Sequence, residues 1–241
     1  MKKALIVGGA NGIGLAIALQ LNDYDQVYII DKVAPAMSPI PAHISFEQFD
    51  LTAQDYSIFD RYQDISLLMI TAGFGRLAHF CDIPEQHIID SFQVNTVAAI
   101  RIVKHFYNRL QGPGDFFCGI MVSIAGFMSS PLFAVYGATK AALKIFIESI
   151  NVELEMTGSP NRILNVSPGS IKGTNFNGGE NDLNQTNELA QQIISHLEAK
   201  NDLFIPQYKE VYCEVLQRYQ HDFRAEGRHS YEYKLQSGRM K

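Results

Sequence analysis

The sequence predicts an α/β fold in which one doubly wound parallel sheet carries helices on both faces. Short apolar runs alternate with longer segments of helical periodicity, a pattern typical of βαβ units. A glycine-rich turn at residues 8–14 separates the first apolar run from the first helical segment. The length of 241 residues fits one well-filled domain. We therefore predict a single domain over residues 1–241.

The order of the elements follows from where the apolar and periodic segments stop. Apolar runs predict strands over residues 4–8, 26–30, 44–49, 66–70, 116–123, 162–166 and 203–205. Helical periodicity predicts helices over residues 12–21, 56–62, 84–110, 135–156 and 188–200. Residues 33–42 are interrupted by proline and alanine and predict a loop, while the polar, glycine-rich residues 175–184 predict a mobile loop.

Residues 203–241 are predicted to form a C-terminal extension of the domain. From Val211 onward this segment is rich in tyrosine and mixed in charge, which predicts a helix followed by an extended stretch. Its role stays open at this point: it covers a pocket, braces a subunit contact, or extends the core.

Composition excludes several classes of protein. Hydrophobic residues make up 46% and charged residues 19%, which indicates a globular protein rather than a disordered one. The net charge of −5 leaves no basic footprint, so we expect no nucleic-acid partner. Three cysteines without CxxC spacing disfavour a disulfide framework or a zinc site and favour a cytoplasmic location. No cluster of histidine and acidic residues suggests any other metal.

The N-terminal residues superficially resemble a signal peptide, with a basic start followed by an apolar stretch. Glycines and Asn11 interrupt that stretch, whereas a strand, a tight turn and a helix account for every residue in it. We therefore interpret it as part of the fold. No other segment is long and apolar enough to predict a membrane span.

The turn Gly8-Gly9-Ala10-Asn11-Gly12-Ile13-Gly14 predicts a dinucleotide site of the Rossmann-like kind. Glycine permits a tight turn and lets a pyrophosphate approach the backbone, and the N-terminus of the following helix supplies free N–H groups and a positive dipole. The alternative is a merely flexible loop, which the strand–turn–helix context disfavours.

Two acidic positions at strand ends are candidates for contacts with the adenosine half of a cofactor. Asp31 follows the second strand, where a carboxylate can hold the ribose hydroxyls and repel a 2′-phosphate. This favours NAD, although the adjacent Lys32 leaves NADP possible and Asp31 itself could be a helix cap or a turn residue. Asp50 and Leu51 close the third strand and are candidates for adenine contacts, with an acidic turn as the alternative.

The segment Tyr136-Gly-Ala-Thr-Lys140 places a phenol and an ammonium on one face of a helix. A nearby cation lowers the pKa of a phenol toward the range where it both gives and accepts a proton. Ser123 lies thirteen residues upstream at the end of a predicted buried strand. A core aromatic, a solvated lysine and a small strand-end residue are the ordinary alternatives for these three. Their joint presence beside a dinucleotide turn favours a hydride-transfer site.

These positions resemble the short-chain dehydrogenase/reductase family over nearly the whole chain up to about residue 205. The family's glycine motif matches at Gly8, Gly12 and Gly14, with Val7 where threonine is usual, and its Asn-Ala-Gly motif is represented by Thr71-Ala72-Gly73. The resemblance supplies the catalytic tetrad Asn95, Ser123, Tyr136 and Lys140. It further places Ala72, Gly73, Pro168, Gly169, Ile171 and Thr174 in the cofactor site, with Thr174 one position later than usual.

The resemblance implies hydride transfer between a nicotinamide and a carbonyl or alcohol carbon. In that scheme Tyr136 is the general acid and base, and Ser123 hydrogen-bonds the substrate oxygen. Lys140 binds the nicotinamide ribose and lowers the pKa of Tyr136. Asn95 is expected to hold a water that links Lys140 to solvent.

Substrate and partner predictions rest on fewer residues. Four aromatic residues fall in loops at strand ends and predict an apolar pocket for a small alcohol or carbonyl compound: Phe74, Phe127, Phe133 and Phe176. Some of them could instead pack the core. Gly75-Arg76 and Asn175 are possible polar contacts, and residues 175–184 a possible lid. By analogy with the family we expect a homodimer or homotetramer that pairs through the helix carrying Leu143, Phe146, Ile147 and Ile150.

Other functions on the same fold were weighed against this one. A non-catalytic dinucleotide sensor or scaffold is the main alternative, because fold alone does not give function and Val7, Thr71 and the tyrosine-rich tail depart from the family pattern. An enoyl reductase would space its tyrosine and lysine differently. An epimerase would have a different glycine spacing and a longer C-terminal domain.

Overall fold

A computed structural model describes residues 1–174, 176 and 180–236. Its centre is a seven-stranded parallel sheet in the order β3-β2-β1-β4-β5-β6-β7. The strands are β1 Lys3–Val7, β2 Gln26–Asp31, β3 Ile44–Gln48, β4 Leu67–Ile70, β5 Phe117–Met121, β6 Ile163–Val166 and β7 Leu203–Phe204. The predicted fold class is confirmed. Each predicted strand is present, with ends that differ by one or two residues.

Eight α-helices occur in the described part of the chain. They are α1 Gly12–Gln20, α2 Glu85–Phe92, α3 Ala98–His105, α4 Tyr107–Gln111, α5 Ala134–Met156, α6 Leu183–Glu198, α7 Cys213–His221 and α8 Phe223–Gln236. The predicted helix at 56–62 is a 3₁₀ helix over Ser57–Tyr62. None of these described helices is both long and apolar enough for a bilayer crossing.

Alternate side chains of the strands feed two cores, because neighbouring residues of a strand point to opposite faces of the sheet. On β1, Leu5 and Val7 pack with residues of α3 and α5, whereas Ala4 and Ile6 pack with residues of α1 and α6. Near-continuous burial along β1, β4 and β6 reflects this two-sided packing. The sheet is therefore rigid where its carboxyl ends support a site.

The strand order reverses direction between β1 and β4. β1 pairs with β2 on one side and with β4 on the other, in parallel register from Ala4 opposite Leu67 to Val7 opposite Ile70. In open parallel sheets this switch point leaves a crevice at the carboxyl ends of the strands, where ligands bind.

Three predicted segments differ from the structure. The helix predicted over 84–110 is divided, with a π-helical turn at Gln93–Val97 between α2 and α3 and a break at Phe106 before α4. Helix α6 begins at Leu183 rather than at 188, because Asp182 accepts a hydrogen bond from the N–H of Asn184 and caps it. Of the polar residues that follow, Asn184, Gln185 and Asn187 face solvent, whereas Thr186 is buried.

The prediction of an extended stretch at the end of the C-terminal segment is wrong. The segment is helical through Gln236, as the hairpin of α7 and α8. Asp222 separates the two helices and accepts hydrogen bonds from the N–H groups of Arg224 and Ala225, which makes it the cap of α8. Few residues of this hairpin are fully buried. Its sequence therefore does not show the apolar stripe from which an amphipathic helix is predicted.

Candidate active site

A pocket of about 840 Å³ opens at the carboxyl ends of the strands, across the switch point of the sheet. Its volume lies within the range of small-molecule and cofactor sites. Its lining includes the following residues of the predicted site: Gly8, Asn11, Gly12, Ile13, Gly14, Asp31, Asp50, Leu51, Ala72, Gly73, Ser123, Tyr136, Lys140, Pro168, Gly169, Ile171 and Thr174. Asn95 is the exception, because its side chain is buried behind the lining.

The glycine turn has the shape of an anion cradle. Gly8 and Gly12 adopt positive φ angles of 86° and 50°, and a Cβ on Gly8 would lie 2.3 Å from the backbone nitrogen of Ala72. Helix α1 begins at Gly12, has no acidic residue in its first turn, and receives no described side-chain cap. Its first N–H groups and its dipole therefore face the pocket, which fits the pyrophosphate of a dinucleotide.

Thr71 replaces the family's asparagine and still fixes this turn. Its hydroxyl lies 2.8 Å from the carbonyl oxygen of Gly8 and 3.2 Å from that of Val7, as donor, and its own N–H donates to Val7 over 2.7 Å. A Cβ on Gly14 would approach the same hydroxyl to 2.4 Å. Thr71 thus ties the end of β4 to the end of β1.

Beside the glycine turn, the pocket carries two carboxylates and one ammonium. Asp31 accepts hydrogen bonds from the N–H groups of Ala10 (3.0 Å) and Val33 (3.3 Å), so it also orders the glycine turn. Asp50 accepts from Thr52, and that backbone hydrogen bond holds the pKa of Asp50 below its usual value. Lys32 adds to the lowering. The local charge of these three pocket-lining groups, Asp31, Lys32 and Asp50, is net negative.

Ser123 is positioned by the turn that follows β5. Its hydroxyl accepts a hydrogen bond from the N–H of Ala125 (3.2 Å) and donates to the carbonyl oxygen of Pro168 (3.4 Å). The same carbonyl accepts from the N–H of Ile124 over 3.0 Å. The serine is therefore attached to the Pro168-Gly169 segment after β6 and lies at one end of the pocket.

Tyr136 lies in the first turn of α5 and Lys140 one turn later, and both are buried. The Lys140 Nζ donates to the carbonyl oxygen of Met121 over 2.8 Å and lies 5.6 Å from the centre of the Tyr136 ring. Burial lowers the pKa of Lys140 to about 7. Burial raises the pKa of Tyr136 well above its ordinary value, and a hydrogen bond with Ser123 opposes this only in part.

The expected lowering of the Tyr136 pKa by Lys140 is therefore wrong for the protein without a bound dinucleotide. Burial destabilises the phenolate form of Tyr136 more than the neighbouring Lys140 stabilises it. Burial also disfavours the charged form of Lys140 and so weakens its effect on the tyrosine. The sequence pattern shows the proximity of the two groups but not the depth at which they lie.

Asn95 lies in the π-helical turn and its amide is engaged with the backbone. Its oxygen accepts from the N–H of Phe74 over 2.9 Å, and its nitrogen donates to the carbonyl oxygen of Phe74 and to the hydroxyl of Thr139. A Cβ on Gly73 would lie 3.2 Å from the Asn95 oxygen and 3.3 Å from the Lys140 Nζ. Asn95 thus fixes the loop after β4 beside Lys140. The water that the family resemblance assigns to it stays a prediction.

Aromatic rings surround the tyrosine. The Phe133 ring stacks on Tyr136 with centroids 4.3 Å apart, and the Phe176 ring lies 5.1 Å from Tyr136. Leu77 packs against the same cluster. We call Leu77, Phe133, Tyr136 and Phe176 the aromatic wall; all four line the pocket.

The other predicted substrate contacts have mixed outcomes. Phe74 lines the pocket, whereas Phe127 lies outside its lining, with the Lys144 Nζ 5.0 Å from its ring centre. Gly75 and Arg76 are also outside the lining. Asn175 and residues 177–179 of the predicted lid lie outside the described residues. The nearby Asn181 donates a 3.1 Å hydrogen bond to the side chain of Asn11.

Comparison with known proteins agrees with this geometry. The sequence pattern described as short chain dehydrogenase matches residues 2–185. This chain belongs to the short-chain dehydrogenase family. It is similar to YvaG of Bacillus subtilis, named an uncharacterized oxidoreductase, with 27% identity over 181 residues, 70% of this chain and 68% of YvaG.

Solved structures show the same fold at low sequence identity. A short-chain dehydrogenase from Streptomyces avermitilis has a TM-score of 0.77 at 20% identity and covers 98% of this chain and 100% of its own. A short chain dehydrogenase from Burkholderia cenocepacia, solved in complex with NADP, has a TM-score of 0.77 at 21% identity and covers 95% of this chain and 99% of its own.

Sequence reasoning missed a group of pocket residues that this short-chain dehydrogenase takes from its C-terminal segment. These are Tyr212, Val215, Glu226, His229, Ser230, Tyr233 and Lys234. Of the three roles left open for the segment, covering the pocket is the one that this lining supports. The signal in the sequence was the density of tyrosine and charged residues after residue 207. That density does not indicate which side chains of the segment face the pocket.

Proposed function

We propose that this short-chain dehydrogenase interconverts an alcohol and the corresponding ketone or aldehyde, with NAD as the hydride carrier. One observation supports this most strongly. The hydrogen-bonded hydroxyls of Ser123 and Tyr136 occupy one end of a pocket whose other end is the glycine cradle. A proton donor and a dinucleotide cradle within one pocket are what carbonyl reduction requires.

The residues that would hold the cofactor divide by the part they face. The glycine turn and the N-terminus of α1 suit the pyrophosphate, and Asp31, Asp50 and Leu51 suit the adenosine. Lys140 suits the nicotinamide ribose, and Pro168, Gly169, Ile171 and Thr174 suit the carboxamide. When bound, the cofactor supplies the hydride.

The preference for NAD over NADP follows from charge at the adenosine end. A 2′-phosphate would bring two negative charges to a place where the carboxylates of Asp31 and Asp50 outnumber the single ammonium of Lys32. The Asp31 carboxylate is held by the N–H of Ala10, so it cannot swing away without loosening the glycine turn. The NADP in the Burkholderia cenocepacia structure belongs to a protein only 21% identical.

The protein's own residues supply the proton and stabilise the charge. In the reducing direction the Tyr136 hydroxyl donates its proton to the substrate oxygen, and in the oxidising direction the phenolate takes it back. The Ser123 hydroxyl hydrogen-bonds the same oxygen, a contribution of about 3 kcal/mol in comparable sites. Because burial raises the Tyr136 pKa, the tyrosine is a proton donor at neutral pH in the protein alone. Lys140, with a pKa of about 7, can return the proton to Tyr136.

The aromatic wall indicates the class of substrate. Phe133 and Phe176 present ring carbons beside the proton donor, and the buried Asn95 adds no polar group to the lining. An apolar or aromatic group next to the carbonyl carbon is therefore favoured over a polar one.

The test measures turnover of a panel of carbonyl compounds that differ in the group attached to the carbonyl carbon. The absorbance of reduced nicotinamide would be followed with acetophenone, cyclohexanone, acetone and pyruvate as oxidants of NADH, and with the matching alcohols and NAD in reverse. We expect turnover of acetophenone or cyclohexanone to exceed that of pyruvate. Saturable NADH binding without turnover of any carbonyl or alcohol would instead favour the non-catalytic sensor.

We further propose that the protein is a homo-oligomer, through residues other than those expected. Leu143 and Ile147 are buried in the core of one subunit, so they cannot pair subunits. The exposed apolar residues of α5 are Ile145, Val152 and Met156, which share one helix face at 58%, 59% and 81% exposure. Light scattering after size exclusion, with Val152→Glu as the variant that should dissociate the assembly, measures this.

A further inference from the structure

We propose that Tyr212, a residue of the C-terminal segment, is a specificity-determining residue that sets the size of the substrate at the reacting end of the pocket. The inference rests on the proposed function and adds a residue that the family match does not reach, because that match ends at residue 185.

The tip of the Tyr212 ring occupies the space of a missing side chain. A Cβ built on Gly169 would lie 1.6 Å from the Tyr212 hydroxyl oxygen and 2.6 Å from its Cζ. No residue other than glycine fits at position 169 while Tyr212 stays in place. The ring is therefore packed directly on the Pro168-Gly169 segment, and it lines the pocket from there.

This segment is joined to the catalytic serine. The carbonyl oxygen of Pro168 accepts hydrogen bonds from the Ser123 hydroxyl and from the N–H of Ile124. Tyr212 thus stands one residue away from the backbone group that positions Ser123. A substrate whose oxygen lies between Ser123 and Tyr136 must direct its remaining atoms past the Tyr212 ring or stop short of it.

Tyr212 is held from both sides in sequence. It ends a π-helical turn, Tyr208–Tyr212, which starts after Gln207 in the left-handed conformation (φ 57°). After it, α7 is joined to α8 by the 2.8 Å ion pair between the Arg218 Nε and the Glu226 carboxylate. The backbone is thus ordered on both sides of Tyr212, and the ring packs on Gly169 from there.

Helix α8 is in turn attached to the rim of the pocket. The Lys234 Nζ donates to the hydroxyl of Ser130 over 2.6 Å and to the carbonyl oxygen of Pro131 over 2.9 Å. The rings of Tyr231 and His79 lie 6.2 Å apart. These contacts close the hairpin over the same pocket that holds the aromatic wall, so the substrate lies between Phe176 on one side and the tail on the other.

The chemistry of Tyr212 suits a boundary rather than a proton carrier. Burial raises its pKa, so the hydroxyl stays neutral and can only donate or accept a hydrogen bond. Its ring limits the length of an apolar group attached to the carbonyl carbon. Truncation would leave a space of roughly one aromatic ring next to Gly169.

The experiment compares acetophenone with the longer benzophenone in the full-length protein. For Tyr212→Ala we expect the ratio of kcat/KM for benzophenone to that for acetophenone to rise about tenfold or more, the discrimination typical of one filled or empty apolar pocket. Tyr212→Phe should keep the wild-type ratio, because it retains the ring. The dissociation constant for NADH, from fluorescence, is measured for both variants, because Tyr212 also packs on Gly169 and an effect on the cofactor must be separated from the substrate ratio.

Tyr208→Ala is the matched control. Tyr208 lies in the same π-helical turn, is 44% exposed and does not line the pocket, so its removal should leave the substrate ratio unchanged. If Tyr212→Ala shifts the ratio no more than Tyr208→Ala does, the role assigned to Tyr212 is wrong while the proposed function stands. If the wild-type protein turns over no carbonyl compound or alcohol of the panel and binds none of them in the NADH complex by saturation-transfer NMR, both proposals fail.

Discussion

The two ends of the pocket are built by different means. The cradle end is made mostly of backbone: the positive-φ glycines of the turn, the N-terminus of α1 and the hydroxyl of Thr71, which lies on the adjacent strand end. The substrate end is made of side chains from segments far apart in sequence, including Phe74, Phe176 and Tyr212. A backbone cradle suits one ligand shape and leaves a short signature in the sequence, whereas a side-chain wall can change residue by residue.

The reacting groups lie at the substrate end, where Tyr136 contacts Phe133 and Phe176, and burial determines their protonation. Lys140 and Tyr136 lie at similar depth, yet burial moves their pKa values in opposite directions, because it disfavours the charged form of each. In the protein alone, the amine gives up its proton near neutrality and the phenol keeps its own. Tyr136 is therefore the proton donor, and Lys140 is the group that can resupply its proton.

The largest expected effect is at the substrate end, on the proton donor. Tyr136→Phe should lower kcat by about 10²–10⁴-fold, the usual contribution of a general acid, since only the proton donor is removed. NADH affinity should stay nearly unchanged, because the cradle is untouched. Steady-state kinetics and fluorescence titration measure the two quantities. Tyr107→Phe, which removes a hydroxyl on α4 that bonds Glu153, serves as the control. Wild-type activity in Tyr136→Phe would refute the mechanism.

The second effect concerns stability and pH in the protein alone. Burial lowers the folded-state pKa of Lys140 to about 7, so between about pH 7 and pH 10 the unfolded chain binds more protons than the folded one. Stability contributed by this site therefore rises with pH over that window, by at most about 1.4 kcal/mol per pH unit.

Lys140→Met should abolish this rise. Urea unfolding at several pH values measures the slope, and Lys144→Met, one turn later on α5, is the control that should retain it. An equal slope in Lys140→Met and in the wild-type protein would show that another group titrates there.

The third effect tests the charge at the cradle end. Asp31→Ala should relax the selectivity for NADH over NADPH by about tenfold, which corresponds to roughly 1.4 kcal/mol, because the repulsion of a 2′-phosphate is reduced. Asp31→Asn, which keeps an acceptor for the N–H of Ala10, should shift selectivity in the same direction with less loss of stability. Unchanged selectivity in both variants would remove Asp31 from the cofactor site and transfer the choice to Lys32.

The smallest effect tests how the backbone cradle is held. Thr71→Val removes the hydroxyl that donates to Gly8 and Val7 and should lower the free energy of unfolding by about 1 kcal/mol, with a small loss of NADH affinity. Thr71→Ser keeps the hydroxyl and should stay close to wild type. Chemical denaturation separates the two, and equal stability of Val and Ser variants would contradict a role for the hydroxyl.

The parts of the molecule that the sequence predicts are those with short, local signals. The strands, the glycine turn and the spacing of Ser123, Tyr136 and Lys140 are each visible within a few residues, and the structure brings these residues to one pocket. The NAD preference, the residue roles and the cytoplasmic location stay predictions.

What the sequence did not predict depends on contacts between distant segments. The π-helical turn at Asn95 arises where its amide reaches back to Phe74, and the hairpin of α7 and α8 is fixed by Lys234 on residues about a hundred positions earlier. The direction of the Tyr136 pKa depends on burial, which the spacing of two residues does not contain. The depth of two residues expected to pair subunits depends on the fold in the same way, since Leu143 and Ile147 are apolar in the sequence and lie buried in the core of one subunit.

The central claim is that the backbone cradle binds a nicotinamide dinucleotide and prefers the form without a 2′-phosphate. Titrating the purified protein with NADH and, separately, with NADPH tests it most directly, with reduced-nicotinamide fluorescence as the signal. The account predicts saturable binding of both compounds or of NADH alone, with NADH the tighter. Tighter binding of NADPH would contradict the charge argument at Asp31, and binding of neither would contradict the assignment of the pocket as a dinucleotide site.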